Sequence, residues 1–342
     1  MAFKVPSLPK LWKRKKPEER FLKQCEDLPV SEFKSLEILT TIAGGSFGMV
    51  KLCQRNDNKL VLKEIIDEDS EQEKLFIKEA SLMHSLHHEH IVKFDSVVYC
   101  GNRKFGFLME YMQFDFLPFG EETKVSSLKE FLYNVDSVCN FCGFEHLQIC
   151  VAQDISRGLA FLHENDVAHR DLKPDNVLIS NQHYTKDNIS EFWETKPVVA
   201  KLADFGESRS KIIQTSSLLH TRTANINRGT PIFMAPELHK HDGLPMTVEQ
   251  LKSTDVWSMS MIFFMLINPD RRYPYEIEMK GFKKSGMTCE NIMKRIYEKL
   301  TVPELIENTP YCKMYSGARL RKHSYFRQSL RTDQQLFRSN SC

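Results

Sequence analysis

A polar octet at residues 169–176, His-Arg-Asp-Leu-Lys-Pro-Asp-Asn, contains side chains that suit the transfer of a phosphoryl group. The Asp171 carboxylate can accept the proton of an attacking hydroxyl, and the Lys173 ammonium can meet negative charge on the transferred group. The Asn176 amide oxygen can ligate Mg²⁺, a hard cation that takes oxygen ligands. An isolated His-Arg-Asp triplet is more often a solvated turn, but the whole octet, followed by the apolar residues 177–179, is a much more specific pattern.

A second metal ligand is predicted at the end of an apolar strand. Residues 198–203, Val-Val-Ala-Lys-Leu-Ala, run directly into Asp204-Phe205-Gly206. The Asp204 carboxylate offers another oxygen ligand, Phe205 offers an apolar anchor, and Gly206 can act as a pivot because it lacks a side chain. The triplet at this distance after the octet strengthens the prediction of a metal site.

A glycine cluster lies between β-branched and apolar residues at 40–52, which predicts a strand, a tight turn and a second strand. Because glycine lacks a Cβ atom, the backbone N–H groups of such a turn can approach phosphates closely. Most glycine clusters are plain turns, so this pattern is a weak signal when taken alone.

A lysine and a glutamate could form an ion pair beside that turn. Lys63 interrupts the apolar run 60–65, so we expect it to point into a cleft from a strand. Residues 70–73, Ser-Glu-Gln-Glu, form a capping box, and apolar residues follow at helical spacing, which places Glu79 on a helix. Each residue alone would more commonly be a solvated surface charge.

Together these segments resemble the eukaryotic protein kinase family, in the family's order, from residue 34 to about residue 300. Residues 229–237, Gly-Thr-Pro-Ile-Phe-Met-Ala-Pro-Glu, are a further match. The resemblance implies an α+β, bilobal protein kinase fold, with a small β-rich N-lobe that carries one helix and a larger, mainly helical C-lobe. ATP and Mg²⁺ would bind between the two lobes.

The resemblance also implies a role for each matching residue. Asp171 would be the base, Lys63 would contact the phosphates, and Glu79 would orient Lys63. Met109 would be the gatekeeper of the adenine site. The implied set is Asp171, Lys173, Lys63 and Glu79 for catalysis, Asn176 and Asp204 for the metal, and Ile42, Ala43, Gly44, Gly45, Ser46, Phe47, Gly48, Val50, Val61, Lys63, Met109, Glu110, Met112 and Leu178 for the nucleotide.

Three positions depart from the family's usual pattern. Ala43 replaces the first glycine of the cluster, and its methyl group should stiffen or lift the turn. Val61 stands where alanine is usual, which should narrow the adenine slot. Glu207 follows the metal-site triplet where many serine/threonine kinases have an apolar residue, so the choice between serine and threonine acceptors stays open.

Lys173 and Thr230 are similar to the serine/threonine rather than the tyrosine kinases, with Thr230 placed to bridge Asp171 and Lys173. We therefore expect an ATP-dependent kinase that acts on protein serine or threonine hydroxyls, within or near the tyrosine-kinase-like group. A pseudokinase scaffold remains an alternative because of Ala43 and the weak match near the C-terminus. A dual-specificity or tyrosine kinase is the other alternative.

The segment 210–228 is polar and rich in hydroxyl groups. A phosphate on Thr221 or Thr223, added by an upstream activating kinase, could pair with Arg170 and order the segment. Plain loop composition explains these hydroxyls equally well. Farther on, Arg319 and Arg321 are candidates for the arginine that the family pairs with the glutamate at position 237.

Three regions are predicted along the chain. Residues 1–33 form a basic N-terminal extension, in which residues 10–16 are a basic run typical of a solvated segment or, alternatively, of a nuclear import signal. Residues 34–312 form the kinase domain, with an N-lobe at 34–112 and a C-lobe at 113–312. Residues 313–342 form a basic, serine-rich tail.

Composition limits the classes of partner and compartment. The 342 residues carry a net charge of only +2, so the overall charge gives no electrostatic attraction that would favour binding of nucleic acid. The longest apolar run, 256–267, is too short to span a membrane and predicts a buried helix. Nine cysteines without disulfide spacing, and no apolar leader, favour the cytoplasm or nucleus. One short segment contains four possible zinc ligands, Cys139, Cys142, His146 and Cys150. Structural cysteine thiols are favoured over a zinc site there.

Overall fold

The computed structural model consists of two lobes, one built on a six-stranded sheet and the other mainly helical. This architecture confirms the α+β bilobal fold predicted from the sequence. The chain passes from the first lobe to the second at residues 111–113. The structure describes residues 17–45, 48–66, 70–101, 104–119, 121–139, 145–185, 188–193, 195–210, 230–239, 246–268, 271–282 and 286–298.

The sheet of the N-lobe is mostly antiparallel. Its strands are β1 (Val30–Glu32), β2 (Glu37–Gly45), β3 (Gly48–Arg55), β4 (Asn58–Ile66), β5 (Phe94–Gly101) and β6 (Lys104–Glu110), in the spatial order β1-β5-β6-β4-β3-β2. Helix α2 (Ser70–Ser85) connects β4 to β5. The ring of Phe76 on α2 packs on the ring of Phe107, with centroids 5.1 Å apart, so α2 covers the face of β6 that carries Phe107.

Packed structure is present before the boundary predicted at residue 33. Helix α1 (Pro17–Gln24) and strand β1 lie within the predicted extension, yet Phe21 and Cys25 are buried in the main core. Strand β1 pairs in parallel with β5, with Ser31 opposite Val98. The division at residue 33 therefore cuts through packed structure, and we propose that the N-lobe starts at about residue 17.

In the part of the chain that the structure describes, the C-lobe combines helices with three small antiparallel pairs of strands. Its helices are α3 (Leu128–Cys139), α4 (Glu145–Glu164), α5 (Ile189–Phe192), α6 (Pro236–His239), α7 (Val248–Ile267), α8 (Glu276–Lys280) and α9 (Cys289–Glu298). Its strands are β7 (Phe114–Asp115), β8 (Lys124–Val125), β9 (Val167–Ala168), β10 (Val177–Ser180), β11 (Val199–Leu202) and β12 (Arg209–Ser210), in which β7 pairs with β8, β9 with β12 and β10 with β11. Among the described residues, none of these helices combines the length and the apolar character that a membrane span requires.

Helix α7 is the buried helix that the apolar run predicted, but it starts earlier than the sequence suggested. The reason is a capping box, in which the Thr247 hydroxyl accepts from the Gln250 N–H and the Gln250 side chain accepts from the Thr247 N–H. This cap satisfies backbone donors that a helix start leaves without partners. The apolar run marks only the later part of α7.

Residues 113–127 contact the segment between β10 and β11. They contain the paired strands β7 and β8. The Asn181 side chain accepts from the Asp115 N–H at 2.8 Å and donates to the Asp115 carbonyl at 2.9 Å. The rings of Phe119 and Trp193 also pack together, with centroids 5.1 Å apart. These contacts tie the start of the C-lobe to the segment between β10 and β11.

Candidate active site

The backbone of the octet is held by a buried carboxylate from α7. Asp255, only 1% exposed, accepts hydrogen bonds of 2.7 Å from both the His169 N–H and the Arg170 N–H. Its carboxylate also lies 3.1 Å from His163 Nε2. Arg170 has a φ of 72°, a left-handed conformation that is unfavourable for a residue with a side chain. The two backbone hydrogen bonds to Asp255 stabilise this turn, so the position of Asp171 depends on α7.

The Asp171 carboxylate is oriented through both of its oxygens. Lys173 Nζ lies 2.7 Å from Oδ2, and the Thr230 N–H donates to Oδ1 at 3.1 Å. Lys173 Nζ also donates to the Thr230 hydroxyl at 3.0 Å. The bridge between Asp171 and Lys173 that the sequence predicted for Thr230 is therefore present. Asn176 Nδ2 donates to the Asp171 carbonyl at 2.8 Å and lies 3.1 Å from Oδ2.

A partly buried three-residue ion cluster crosses between the lobes. Lys63 Nζ on β4 lies 2.6 Å from Glu79 Oε1 on α2 and 3.0 Å from Asp204 Oδ1. The side chains of Lys63 and Glu79 are 16% and 8% exposed, whereas that of Asp204 is 50% exposed. The sequence predicted the pairing of Lys63 with Glu79, and the structure brings the two residues together.

Burial and the ion pairs act in opposite directions on this cluster. Burial alone would lower the pKa of Lys63, but the adjacent carboxylates of Glu79 and Asp204 outweigh it and raise this pKa above its ordinary value. Burial raises the pKa of Glu79, and the Lys63 ammonium only partly offsets the effect. Burial also acts to raise the pKa of Asp204, but Lys63 outweighs it and the pKa is lowered. Of the two carboxylates in this cluster, Asp204 is therefore the one that ionises more readily.

Strand pairing brings the two predicted metal ligands near each other. Val177 on β10 lies opposite Leu202 on β11, and the Ala203 N–H donates to the Asn176 carbonyl at 2.9 Å. Asn176 directly precedes β10 and Asp204 follows β11, so antiparallel pairing brings both residues to the same end of this strand pair. The Asn176 Nδ2 atom faces Asp171, so its amide oxygen is directed away from that residue.

The donor set at this position fits a hard divalent cation. An amide oxygen and an ionised carboxylate are oxygen ligands, and Mg²⁺ commonly binds one or two carboxylates together with waters and substrate phosphates. Within the described ranges, no group of three or more His, Cys, Asp or Glu side chains could hold a metal by itself. The residues thus suit a metal that shares its coordination with a phosphate ligand.

The glycine cluster lies in the β2–β3 hairpin. Gly48 has a φ of 123°, and a Cβ atom there would lie 2.1 Å from the Glu64 carbonyl oxygen, so any side chain would collide with β4. At Gly44, by contrast, an added Cβ would meet nothing within 4 Å. Ile42 and Ala43 are exposed on β2, and Gly45 pairs with Gly48. Ser46 and Phe47, also predicted to contact nucleotide, lie outside the described residues.

The other apolar residues predicted to contact nucleotide come from adjacent strands of the N-lobe sheet, the residues just after β6, and β10 of the C-lobe. Val50 on β3 is the register partner of Lys63, and Val61 on β4 is the register partner of Met109 on β6. Met112 is buried just after β6, and Leu178 is half-buried on β10. Both lobes therefore contribute apolar side chains from the predicted set.

Glu110, at the end of β6, makes an ion pair that the sequence did not predict. Lys201 Nζ on β11 lies 2.7 and 2.9 Å from its two carboxylate oxygens, and the Lys93 N–H donates to Oε1 at 2.6 Å. The polar Lys201 within an apolar strand was the available signal. Its partner is 91 residues away, so no local pattern could identify it.

For the nucleotide site that the resemblance implies, we expect Lys201→Met to raise the KM for ATP up to about tenfold while kcat changes little, because it removes charged hydrogen bonds of about 1 to 2 kcal/mol that anchor the strand before residues 111–113. Lys201→Arg should retain most of the wild-type KM, since it preserves the charge. Steady-state kinetics with varied ATP would measure both variants. An unchanged KM with a lower kcat would contradict this role.

The chain belongs to the protein kinase family. The family's sequence model, described as Protein kinase domain, matches residues 36–332. The match extends past residue 312, where the kinase domain was predicted to end, into the predicted tail. The division at 312 is a proposal, because residues 299–342 lie outside the described residues.

Serine/threonine kinases are among the similar proteins. Serine/threonine-protein kinase CLA4 of Candida albicans is 26% identical over 281 residues, covering 82% of this chain and 24% of the relative. Probable serine/threonine-protein kinase gdt4 of Dictyostelium discoideum is 30% identical over 259 residues, covering 75% and 13%. Serine/threonine-protein kinase 33 of Bos taurus is 27% identical over 289 residues, covering 77% and 52%. The chain thus spans from about an eighth to about half of the length of these relatives.

Several predicted features cannot be placed. Thr221, Thr223, Arg319, Arg321 and Cys142 lie outside the described residues. Cys150 on α4 is half-buried, and burial raises the pKa of its thiol above the ordinary value. A raised pKa disfavours the thiolate, which is the form that ligates a metal.

Proposed function

We propose that this protein is an ATP-dependent serine/threonine protein kinase that transfers the γ-phosphoryl group of ATP to protein hydroxyls. The contact set of Asp171 with Lys173 and Thr230 carries the proposal. It pairs a candidate base with a cation two residues away, and Thr230 contacts both, because its N–H donates to Asp171 and its hydroxyl accepts from Lys173. Similarity to relatives named as serine/threonine kinases supports the same acceptor class.

Asp171 would accept the proton of the substrate serine or threonine as its oxygen attacks the γ-phosphorus. Lys173 would stabilise negative charge that develops on the transferred group. The hydrogen bond from the Thr230 N–H keeps one carboxylate oxygen of Asp171 in a fixed orientation. Phosphoryl transfer leaves little covalent work for the protein, so positioning and charge stabilisation would supply most of the rate.

Lys63 would hold the α- and β-phosphates of ATP, and Glu79 would keep Lys63 extended toward them. Asn176 and Asp204 would hold Mg²⁺, which neutralises phosphate charge when bound. The lowered pKa of Asp204 supports this assignment, because its carboxylate remains an ionised ligand at neutral pH. The remaining predicted residues would surround the adenine and the phosphates.

The protein partners of such an enzyme would be substrates with serine or threonine acceptors. An upstream kinase acting on the segment 210–228 is part of the same proposal, as is a location in the cytoplasm or nucleus. A role in binding nucleic acid is not proposed, because the net charge of +2 gives no attractive field.

We expect the purified protein with ATP and Mg²⁺ to phosphorylate itself and a generic protein substrate on serine or threonine. Phosphoamino-acid analysis after incubation with labelled ATP would identify the acceptor, and Asp171→Ala is the control for contaminating kinases. Phosphotyrosine alone would contradict the proposed acceptor class. Nucleotide binding without turnover above the Asp171→Ala background would instead indicate a pseudokinase.

A further inference from the structure

The segment before the first antiparallel hairpin packs into the core of the N-lobe. Phe21 is 0% exposed, and Cys25 and Leu28 are also buried. The Phe21 ring stacks on the Phe105 ring of β6, with centroids 4.3 Å apart and an interplanar angle of 18°. Burying these three apolar side chains contributes favourable free energy to folding, because it removes apolar surface from water. Residues 17–32, comprising α1 and β1, are therefore a structural part of the lobe.

Helix α1 lies beside α2 on the same face of the sheet. Phe105 and Phe107 are two residues apart on β6, so their side chains point to the same face. Phe21 stacks on the first ring, and Phe76 of α2 packs on the second. Lys63 Nζ also lies over the Phe107 ring, 5.7 Å from its centroid. A row of aromatic contacts thus runs from α1 to the neighbourhood of the Lys63 ammonium.

A polar contact joins the two helices directly. Gln24 Nε2 on α1 donates to Glu73 Oε1 on α2 at 3.1 Å, and Glu73 is only 2% exposed. Burial, with a smaller contribution from the Glu73 carboxylate, raises the pKa of the Cys25 thiol to about 12. Glu73 and Glu79 lie on the same helix, about 9 Å apart along its axis at 1.5 Å per residue.

The end of the segment is anchored independently of α1. Arg55 Nη1 on β3 donates to the Ser31 hydroxyl at 2.7 Å, and Arg55 Nη2 lies 2.7 Å from Asp95 Oδ1 on β5. The Ser31 and Ser96 hydroxyls are hydrogen-bonded at 2.7 Å. Because β1 is fixed at the sheet edge, the short connection 25–29 restricts where α1 can dock.

We propose that residues 17–32 act as a brace that holds α2 where Glu79 reaches Lys63, with Phe21 and Gln24 as positioning residues for the catalytic ion pair. This inference rests on the proposed function, since the brace matters for turnover only if Lys63 handles phosphates. The 2.6 Å contact between Lys63 and Glu79 tolerates little movement of α2. A displacement of about 1 Å at such a contact can lower the rate about 100-fold.

The primary test compares Phe21→Ala with Lys23→Ala in the full-length protein, because Lys23 is exposed on the same helix. We expect Phe21→Ala to lower kcat about 10- to 100-fold, Lys23→Ala to match wild type, and Phe21→Leu to recover most of the activity. In a Glu79→Gln background, Phe21→Ala should cause little further loss of kcat, because both changes act through one ion pair. Losses that multiply in the double variant would overturn the proposal.

Hydrogen exchange of α2 gives a readout that does not require turnover. Amides of residues 70–85 should exchange faster in Phe21→Ala than in Lys23→Ala, at a temperature where both proteins are folded. If Phe21→Ala does not fold, Gln24→Ala takes its place, because it removes only the hydrogen bond to Glu73. Unchanged α2 protection in the folded variant would refute the brace. A wild-type protein without turnover would refute the proposed function, while the exchange experiment would still decide the brace.

Discussion

Replacing Asp171 by asparagine should lower kcat by about 10²- to 10⁴-fold, the range typical for removing a general base. The amide is nearly the same size as the carboxylate, but it cannot accept the proton of the attacking hydroxyl. The backbone of the octet should persist, because Asp255 holds it through the N–H groups of His169 and Arg170. The KM for ATP should change little. Initial-rate assays on a protein substrate would measure both constants.

Asp175→Asn is the matched control for this experiment. Asp175 belongs to the same octet, and its carboxylate lies 2.7 Å from Lys129 Nζ on α3 in an exposed ion pair. Exposed pairs contribute about 0 to 1 kcal/mol, so the loss of this one should leave kcat nearly unchanged. If Asp171→Asn retained more than a tenth of the wild-type kcat, the assignment of Asp171 as the base would fail.

Lys63→Met should lower kcat/KM by two orders of magnitude or more, on the order of the loss seen when a preorganised donor is removed.

Lys63→Met should also lower the free energy of unfolding by about 3 kcal/mol near neutral pH, because Glu79 is left buried without its cation. The loss should shrink as the pH falls. Removing Lys63 raises the folded-state pKa of Glu79 further, so protonation favours the folded variant at low pH and the penalty grows as the pH rises. Urea unfolding at several pH values would measure it.

Lys51→Met separates stability from catalysis in the same sheet. Lys51 on β3 pairs with Glu64, whose side chain is 4% exposed, so this pair resembles that of Lys63 and Glu79 in burial. Lys51→Met should lower stability by less than Lys63→Met, because Lys104 Nζ remains 3.6 Å from Glu64 Oε1, and it should leave kcat/KM for the folded protein close to wild type. Equal losses of kcat/KM in the two lysine variants would indicate that general damage to the sheet, rather than loss of phosphate binding, explains the effect of Lys63→Met.

The local patterns predicted the elements that carry the candidate site. The octet, the strand before Asp204 and the helical spacing around Glu79 are each contained within a short stretch, so sequence spacing was sufficient to place these elements. The pairing of Lys63 with Glu79 followed from the resemblance to the family. The direction in which the pKa of Glu79 shifts could not be predicted without the structure, because burial and the ion pair act on this pKa in opposite directions.

Features that depend on distant contacts could not be predicted. Phe21 lies among charged residues and near a basic run, which favoured a solvated extension, and its partner Phe105 is far along the chain. The ion pair between Lys201 and Glu110 could not be predicted for the same reason, because the two residues are far apart in the sequence. The start of α7 was predicted too late because the prediction rested on the apolar run alone and did not include the capping box at Thr247.

The left-handed turn at Arg170 implies that the octet 169–176 cannot keep its conformation outside this fold. Its geometry is maintained by Asp255, 85 residues farther along, whose carboxylate holds the backbone of the turn. A peptide copied from residues 169–176, or the same octet grafted onto another scaffold, would relax to ordinary backbone angles and lose the orientation of its aspartate. A transplant would have to include the α7 aspartate, so the functional unit is a loop together with a helix that is remote in sequence.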